Sequence, residues 1–121
     1  MILDNIGTIR RFEDLEIWQK SRDFSVEIFQ VSNSNGLEKD FGLINQILNS
    51  SGYIIDKIAE GFEREGNKEF INYLSIAKGS CGETRSQLHR DLGRKHISEE
   101  KFKLLTEKNI EIIKSISGFM K

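Results

Sequence analysis

The sequence predicts an all-α protein, an antiparallel up-down-up-down four-helix bundle, from three observations. Proline is absent from all 121 residues, as is typical of long helices, whose interiors exclude it. Four stretches of roughly 20–25 residues carry apolar side chains at helical spacing. The breaks between these stretches are short, and short loops place consecutive helices antiparallel to each other.

The first helix is expected over roughly residues 13–31, with a wide apolar face. Each of the other three segments carries one apolar seam that steps by three and four residues, which is typical of a helix packed along its length. The seams are Phe41, Ile44, Leu48, Ser51, Ile55, Ile58 and Phe62; then Phe70, Leu74, Ala77, Cys81, Thr84 and Leu88; then Phe102, Leu105, Asn109, Ile112, Ile116 and Phe119.

The breaks contain turn and capping residues. Residues 32–36 (SNSNG) are turn formers, and Asn67 is the expected N-cap of the third helix. Gly93 is expected just after the end of that helix, and Ser98 caps the fourth. We therefore expect one domain over residues 1–121, with residues 1–11 as a loosely attached N-terminal arm.

Composition favours a soluble cytoplasmic protein. Charged residues make up 31% and hydrophobic residues 37% of the chain. No apolar run approaches the ~18–20 residues that span a bilayer, so no membrane partner is expected. The single cysteine, Cys81, excludes an internal disulfide and a cysteine-based zinc site, and it favours a reducing compartment.

The sequence contains no motif that indicates an enzyme, a cofactor or a metal. Bundles that hold two metals use Glu-x-x-His on two helices, but Ser86 and Gly93 precede His89 and His96 by three residues. Glycine-rich phosphate loops and nucleophile elbows are also absent. We therefore predict a protein without catalytic activity, cofactor or metal.

Two further patterns each allow two interpretations. Small residues gather in the third segment, and small residues of the second segment face them, which indicates either close packing within the chain or a contact with another subunit or a ligand. The small residues are Ala77, Gly79, Ser80, Cys81, Gly82 and Thr84, and opposite them Ser50, Ser51 and Gly52. Other apolar residues lie outside the seams and predict either a broad core or, as we expect, a homo-oligomer. They are Ile17, Phe24, Val31, Leu43, Ile47, Ile54, Ile110 and Ile113.

Positive charge is concentrated in the second half of the chain. Residues 1–60 contain six Lys and Arg against ten Asp and Glu, whereas residues 61–121 contain twelve against nine. A basic stripe along a helix can bind phosphates, but it can also be a solvated face with intrahelical ion pairs. The candidate nucleic-acid contacts are Lys78, Arg85, His89, Arg90, Arg94 and Lys95.

The sequence resembles the four-helix bundle proteins encoded in intervening sequences of bacterial 23S ribosomal RNA genes, which are sometimes labelled S23 ribosomal protein. The resemblance covers roughly residues 12–119 and is carried by FEDLEIWQKS, GLINQI, KIAEGFERE, KEFINYLSIAKGSCGETRSQL and ISEEKF, in that order. Accessory proteins of diversity-generating retroelements are related to this family.

This resemblance implies an up-down bundle that assembles into a homopentameric ring, without known enzymatic activity. It also implies binding to structured RNA or DNA. Family members usually carry two arginines where this chain has Leu48 and Asn49, and its net charge is −1. The alternative therefore stays open: a structural or adaptor ring that binds a protein partner without nucleic acid.

Overall fold

The structure is a computed structural model that describes residues 2–4, 7–33 and 36–121. The long helices in these residues are α1 (Glu16–Ser32), α2 (Phe41–Glu63), α3 (Asn67–Gly93) and α4 (Glu99–Phe119). Helices α1 and α3 each contact both α2 and α4, so the four helices surround one core. The predicted all-α four-helix bundle is confirmed.

The N-terminal backbone contains two short strands, β1 (Ile2–Asp4) and β2 (Gly7–Ile9). The strands pair antiparallel with Ile2 opposite Ile9, and the half-buried Ile9 side chain packs against the core. We expected residues 1–11 to form a loosely attached arm, and the loose attachment stays a prediction. Residues 1, 5 and 6 lie outside the described part of this arm.

The helix ends follow capping chemistry at some of the predicted positions. Ser98 caps α4 as predicted, since its hydroxyl accepts a hydrogen bond of 3.1 Å from the backbone N–H of Lys101. Asn67 is the first residue of α3 and forms no cap hydrogen bond, so that prediction is wrong. Gly93 is the last helical residue of α3, and the left-handed backbone conformation falls at Lys95, with φ of 62°. Residues 34 and 35 of the predicted turn lie outside the described chain.

The core confirms the predicted seams of α3 and α4 but corrects the seam of α2. Leu43, Ile47 and Ile54, which we placed outside the seam, are fully buried. Phe41, which we placed on it, is 72% exposed. The two sets lie about 100° apart on the same helix, and both step by three and four residues. Because the second apolar stripe of α2 lies in the core, the interpretation as a broad core is correct for this helix.

Close approach of two helices requires a glycine at Gly61. A Cβ atom built there would lie 2.5 Å from the Cβ of Tyr73, so α2 and α3 meet closely at this point. At Gly52, Gly79 and Gly82 a Cβ atom would meet nothing within 4 Å. Packing within the chain therefore does not explain these three glycines. No helix in the described ranges is long and apolar enough to cross a membrane.

Candidate functional site

Three of the predicted contact residues form one row along α3. Lys78, Arg85 and His89 are spaced by seven and four residues, which places them on the same side of the helix. The His89 ring packs edge-on against Phe102 of α4, with the ring centroids 4.9 Å apart, so this row follows the α4 side of α3. Lys78 and Arg85 form no ion pair or hydrogen bond with any described residue. Their charges are therefore available to a ligand.

The next two predicted residues lie on the other side of α3 and hold it to α2. Arg90 donates a hydrogen bond of 2.6 Å to the side-chain oxygen of Gln46. Arg94 forms an ion pair of 2.7 Å with Asp40, the residue that caps α2. The hydrogen bond from Arg94 holds the pKa of the Asp40 carboxyl below its ordinary value. Arg94 is thus committed to a contact within the bundle.

Between these two rows the outer face of α3 carries only small residues. Ser75, Gly79, Gly82 and Ser86 follow one another at steps of four, three and four residues, so they form a bare ridge on one face. Both glycines have open space where a side chain would begin. The ridge lets another molecule approach the helix backbone while cations flank it. The exposed Lys95 lies in the turn beyond the end of α3.

Two further lysines on the outside of the bundle, which the charge pattern of the sequence did not single out, belong to α4. Lys103 and Lys114 are exposed and form no ion pair with any described residue. They lie on the face of α4 opposite its buried seam, next to the exposed carboxylate of Glu107. The seam of α4 predicted that both lysines face outward. They were not singled out because they are far apart in the sequence and form no run of positive charge. We define the α3 basic face as Lys78, Arg85, His89 and the bare ridge.

A groove with a volume of ≈ 810 Å³ runs between α2 and α3 on the outside of the bundle. Its lining is mostly polar and includes Gln46, Asn49, Tyr53, Glu83 and Gln87. A buried chain of hydrogen bonds forms part of its floor: Thr84 donates to Ser50 at 2.7 Å, and Ser50 donates to the Gln87 side-chain oxygen at 2.6 Å. We call it the α2–α3 groove.

An ordered cluster of aromatic and charged side chains adjoins the groove. The Lys57 ammonium lies 4.8 Å from the ring centroid of Tyr53 and 5.7 Å from that of Tyr73. Glu60 accepts a hydrogen bond of 2.9 Å from Lys57, which lowers the pKa of its carboxyl. Arg64 lies over the other aromatic ring, Tyr73, at 5.4 Å. These contacts hold Tyr53 at the edge of the groove.

A buried carboxyl group lies at the end of the bundle where α3 finishes. Asp91 is fully buried, and neither of its carboxyl oxygens has a hydrogen-bond partner. Burial raises the pKa of Asp91 to about 6. His96 lies nearby, with its Nε2 atom 3.1 Å from Asp40, and its charge acts in the opposite direction on Asp91. This end of the bundle is therefore sensitive to pH.

The described side chains include no group of three or more His, Cys, Asp and Glu residues that could hold a metal ion. Cys81 is fully buried, and burial raises the pKa of its thiol to about 12. A thiol in this state is a weak nucleophile, because the thiolate is the reactive form.

Comparison with known proteins agrees with the fold. A family model described as 23S rRNA-intervening sequence protein matches residues 13–118. A crystal structure described as a protein of unknown function from the S23 ribosomal protein family of Bacteroides thetaiotaomicron VPI-5482 is similar, with 27% identity and a TM-score of 0.80. The match covers 87% of this chain and 98% of that one. No curated protein matches the sequence.

Proposed function

Because the chain belongs to the 23S rRNA-intervening sequence protein family, we propose that it is a non-catalytic, oligomeric accessory protein of the cytoplasm that binds structured nucleic acid. The contact surface is the α3 basic face. The observation that carries this proposal is the row of Lys78, Arg85 and His89, in which both long cations lack a partner among the described residues. The row runs beside a ridge without large side chains, where a sugar–phosphate backbone can lie close to the helix.

Binding of this kind depends on phosphates more than on base sequence. Each lysine or arginine that neutralises a phosphate releases counterions, so affinity falls steeply with salt. One chain offers few such cations, and its net charge is −1. Repetition of the face around a homo-oligomer, a pentamer in our proposal, adds these weak contacts together through multivalency.

The test is a fluorescence anisotropy titration with a structured RNA and with duplex DNA at about 50 and 200 mM salt. The double variant Lys78→Glu, Arg85→Glu should weaken binding at least about tenfold, and the log–log salt slope should become shallower by about 0.9 for each phosphate that is no longer neutralised. The matched control is Arg10→Glu, Arg22→Glu, which changes the net charge equally on exposed residues elsewhere. An equal weakening for both variants, or no binding at low salt, would exclude the α3 basic face as a specific contact.

A second candidate function, a ring that binds a protein partner, is supported by a different surface. Val26 and Phe29 on α1 are 50% and 58% exposed, and Phe41 at the start of α2 is 72% exposed. The end of α1 and the start of α2 are neighbours in an antiparallel pair, so these exposed side chains lie near the same end of the bundle. Exposed apolar patches of this kind mark protein contacts, either between copies of the chain or with a partner.

A further inference from the structure

We infer that the α2–α3 groove receives an unpaired nucleobase, best a guanine, from the nucleic acid whose backbone lies on the α3 basic face. The inference rests on the proposed function and assigns a substrate class to it: structured RNA with a base that is bulged or looped out. The groove volume of ≈ 810 Å³ lies within the range of about 300–1,000 Å³ that is typical of ligand pockets. Gly52 in the groove leaves open space where a side chain would begin.

A hydrogen-bond donor without a partner among the described residues belongs to the lining of this groove. Gln87 is only 5% exposed, and its side-chain oxygen is held by Ser50 at 2.6 Å, which fixes the orientation of the amide. The amide nitrogen donates to no described residue, and the side chain lines the groove. This nitrogen is not among the buried atoms that lack a partner, so it is accessible from the groove. A ligand acceptor, such as a ring nitrogen or carbonyl oxygen of a base, can accept its hydrogen bond.

The other lining groups match the edge and the faces of a base. Tyr53 is 53% exposed, and an exposed aromatic ring is the usual stacking partner of an unpaired base. Asp56 and Glu83 are exposed carboxylates without an ion pair among the described residues. A carboxylate can accept hydrogen bonds from both N–H positions on the Watson–Crick edge of guanine. The same edge of uracil has only one N–H.

The charge of the groove excludes the backbone and favours the base. Asp56 and Glu83 repel phosphate, whereas the cations without partners lie across the bare ridge in the row of Lys78 and Arg85. Arg90 lines the groove on the α3 side. Its hydrogen bond to Gln46 holds it at the boundary between the α2–α3 groove and the α3 basic face. Ser86 belongs both to the ridge and to the lining of the groove, so a strand whose phosphates follow the ridge passes directly beside the groove.

The first experiment tests the groove without phosphate. Guanosine, adenosine and uridine are titrated into the full-length protein, and the side-chain amide signal of Gln87 and the ring signals of Tyr53 are followed by NMR. Guanosine should shift both and bind most tightly. Gly52→Trp should weaken guanosine binding by about tenfold or more, because the indole fills the groove and removes the stacking site. Gly42→Trp is the matched control, since it changes another α2 glycine with open space above it, outside the groove.

The second experiment uses two RNA hairpins that differ only in one bulged guanine. The wild-type protein should prefer the bulged hairpin by about tenfold, and Gly52→Trp should abolish the preference but keep its affinity for the paired hairpin. Tyr53→Ala provides a second variant that does not fill space. Failure of the wild-type protein to bind either hairpin would overturn the proposed function. The guanosine titration would still show whether the groove binds a base.

Two outcomes overturn the inference itself. In the first, no nucleoside shifts Gln87 or Tyr53 and the two hairpins bind equally. In the second, Gly52→Trp changes the oligomeric state while guanosine binding is absent, which would assign the groove to a contact between copies of the chain.

Discussion

Asp91 shows how one buried group controls the pH dependence of stability. Its pKa rises from 3.8 to about 6 on folding, because burial disfavours the ionised carboxylate. The folded state therefore binds this proton more strongly than the unfolded state. Below about pH 4 this carboxyl group does not change the free energy of unfolding. Its destabilising effect grows as the pH rises to about 6 and then stays constant. A difference of about two pKa units corresponds to about 3 kcal/mol.

We expect Asp91→Asn to remove this cost. The stability of the variant relative to the wild-type protein should increase between about pH 4 and 7 by about 3 kcal/mol, as measured by urea unfolding at each pH. The unpaired amide of the new asparagine has the same effect at every pH. Comparing how the stability difference changes with pH therefore removes that effect. Glu107→Gln, which removes an exposed carboxylate, is the control. If the stability of Asp91→Asn relative to the wild-type protein is the same at both pH values, ionisation of the Asp91 carboxyl does not destabilise the folded state.

Two glycines of α2 should respond oppositely to the same substitution. Gly61→Ala places a Cβ atom 2.5 Å from the Cβ of Tyr73, and we expect the stability to fall by about 1–3 kcal/mol from overpacking. Gly52→Ala meets nothing within 4 Å, and the higher helix propensity of alanine should stabilise the protein by about 1 kcal/mol. Chemical denaturation of both variants decides this, and a shift in the same direction for both would contradict the helix spacing at Gly61.

At the scale of helices, Ser98 is the cap that sequence and structure agree on. Its hydroxyl accepts the backbone N–H of Lys101, and Glu99 and Glu100 follow in the first turn, where carboxylates favour the positive helix end. Ser98→Ala should cost about 1 kcal/mol, which thermal unfolding will detect. Ser75→Ala on the outer face of α3 serves as the control and should not destabilise. Equal melting temperatures for wild type and Ser98→Ala would mean that the cap contributes nothing.

The helices differ in how well the sequence predicted their buried faces. In α3 and α4 the apolar residues outside the seam, such as Ile71 and Ile110, are scattered and form no second stripe along the helix, so the predicted seam is the face that is buried. In α2 the residues Phe41, Leu43, Ile44, Ile47 and Leu48 are apolar on two overlapping stripes. Period alone cannot choose between stripes that both step by three and four, and contact with α1 and α3 decides which one is buried.

The candidate site was predictable only in part, for a related reason. Lys78, Arg85 and His89 lie on one helix, so their spacing alone placed them in one row. The ion pair that holds Arg94 within the bundle could not be predicted from the sequence, because its partner Asp40 is 54 positions away. The α2–α3 groove is made by side chains of two helices and depends on where Gly52 faces, which a sequence pattern does not contain.

At the scale of the whole molecule, the exposed apolar side chains of Val26, Phe29 and Phe41 predict self-association. These side chains stay exposed after the broad core of α2 has been accounted for, so they still favour an oligomer. We expect size exclusion with light scattering to give several times the 14.0 kDa of the chain. The double variant Phe29→Glu, Phe41→Glu should shift the protein towards the monomer, because burying two carboxylates in the contact is costly.

Ile71→Glu is the matched control for that experiment, since it adds a carboxylate at an exposed apolar position on α3. It should leave the mass unchanged if the contact lies on the α1–α2 side. A wild-type monomer at tens of micromolar would contradict self-association, and it would also remove the multivalency on which nucleic-acid binding by so few cations depends. Dissociation by the control instead of the double variant would move the subunit contact to α3, where it would compete with the α3 basic face for the same surface.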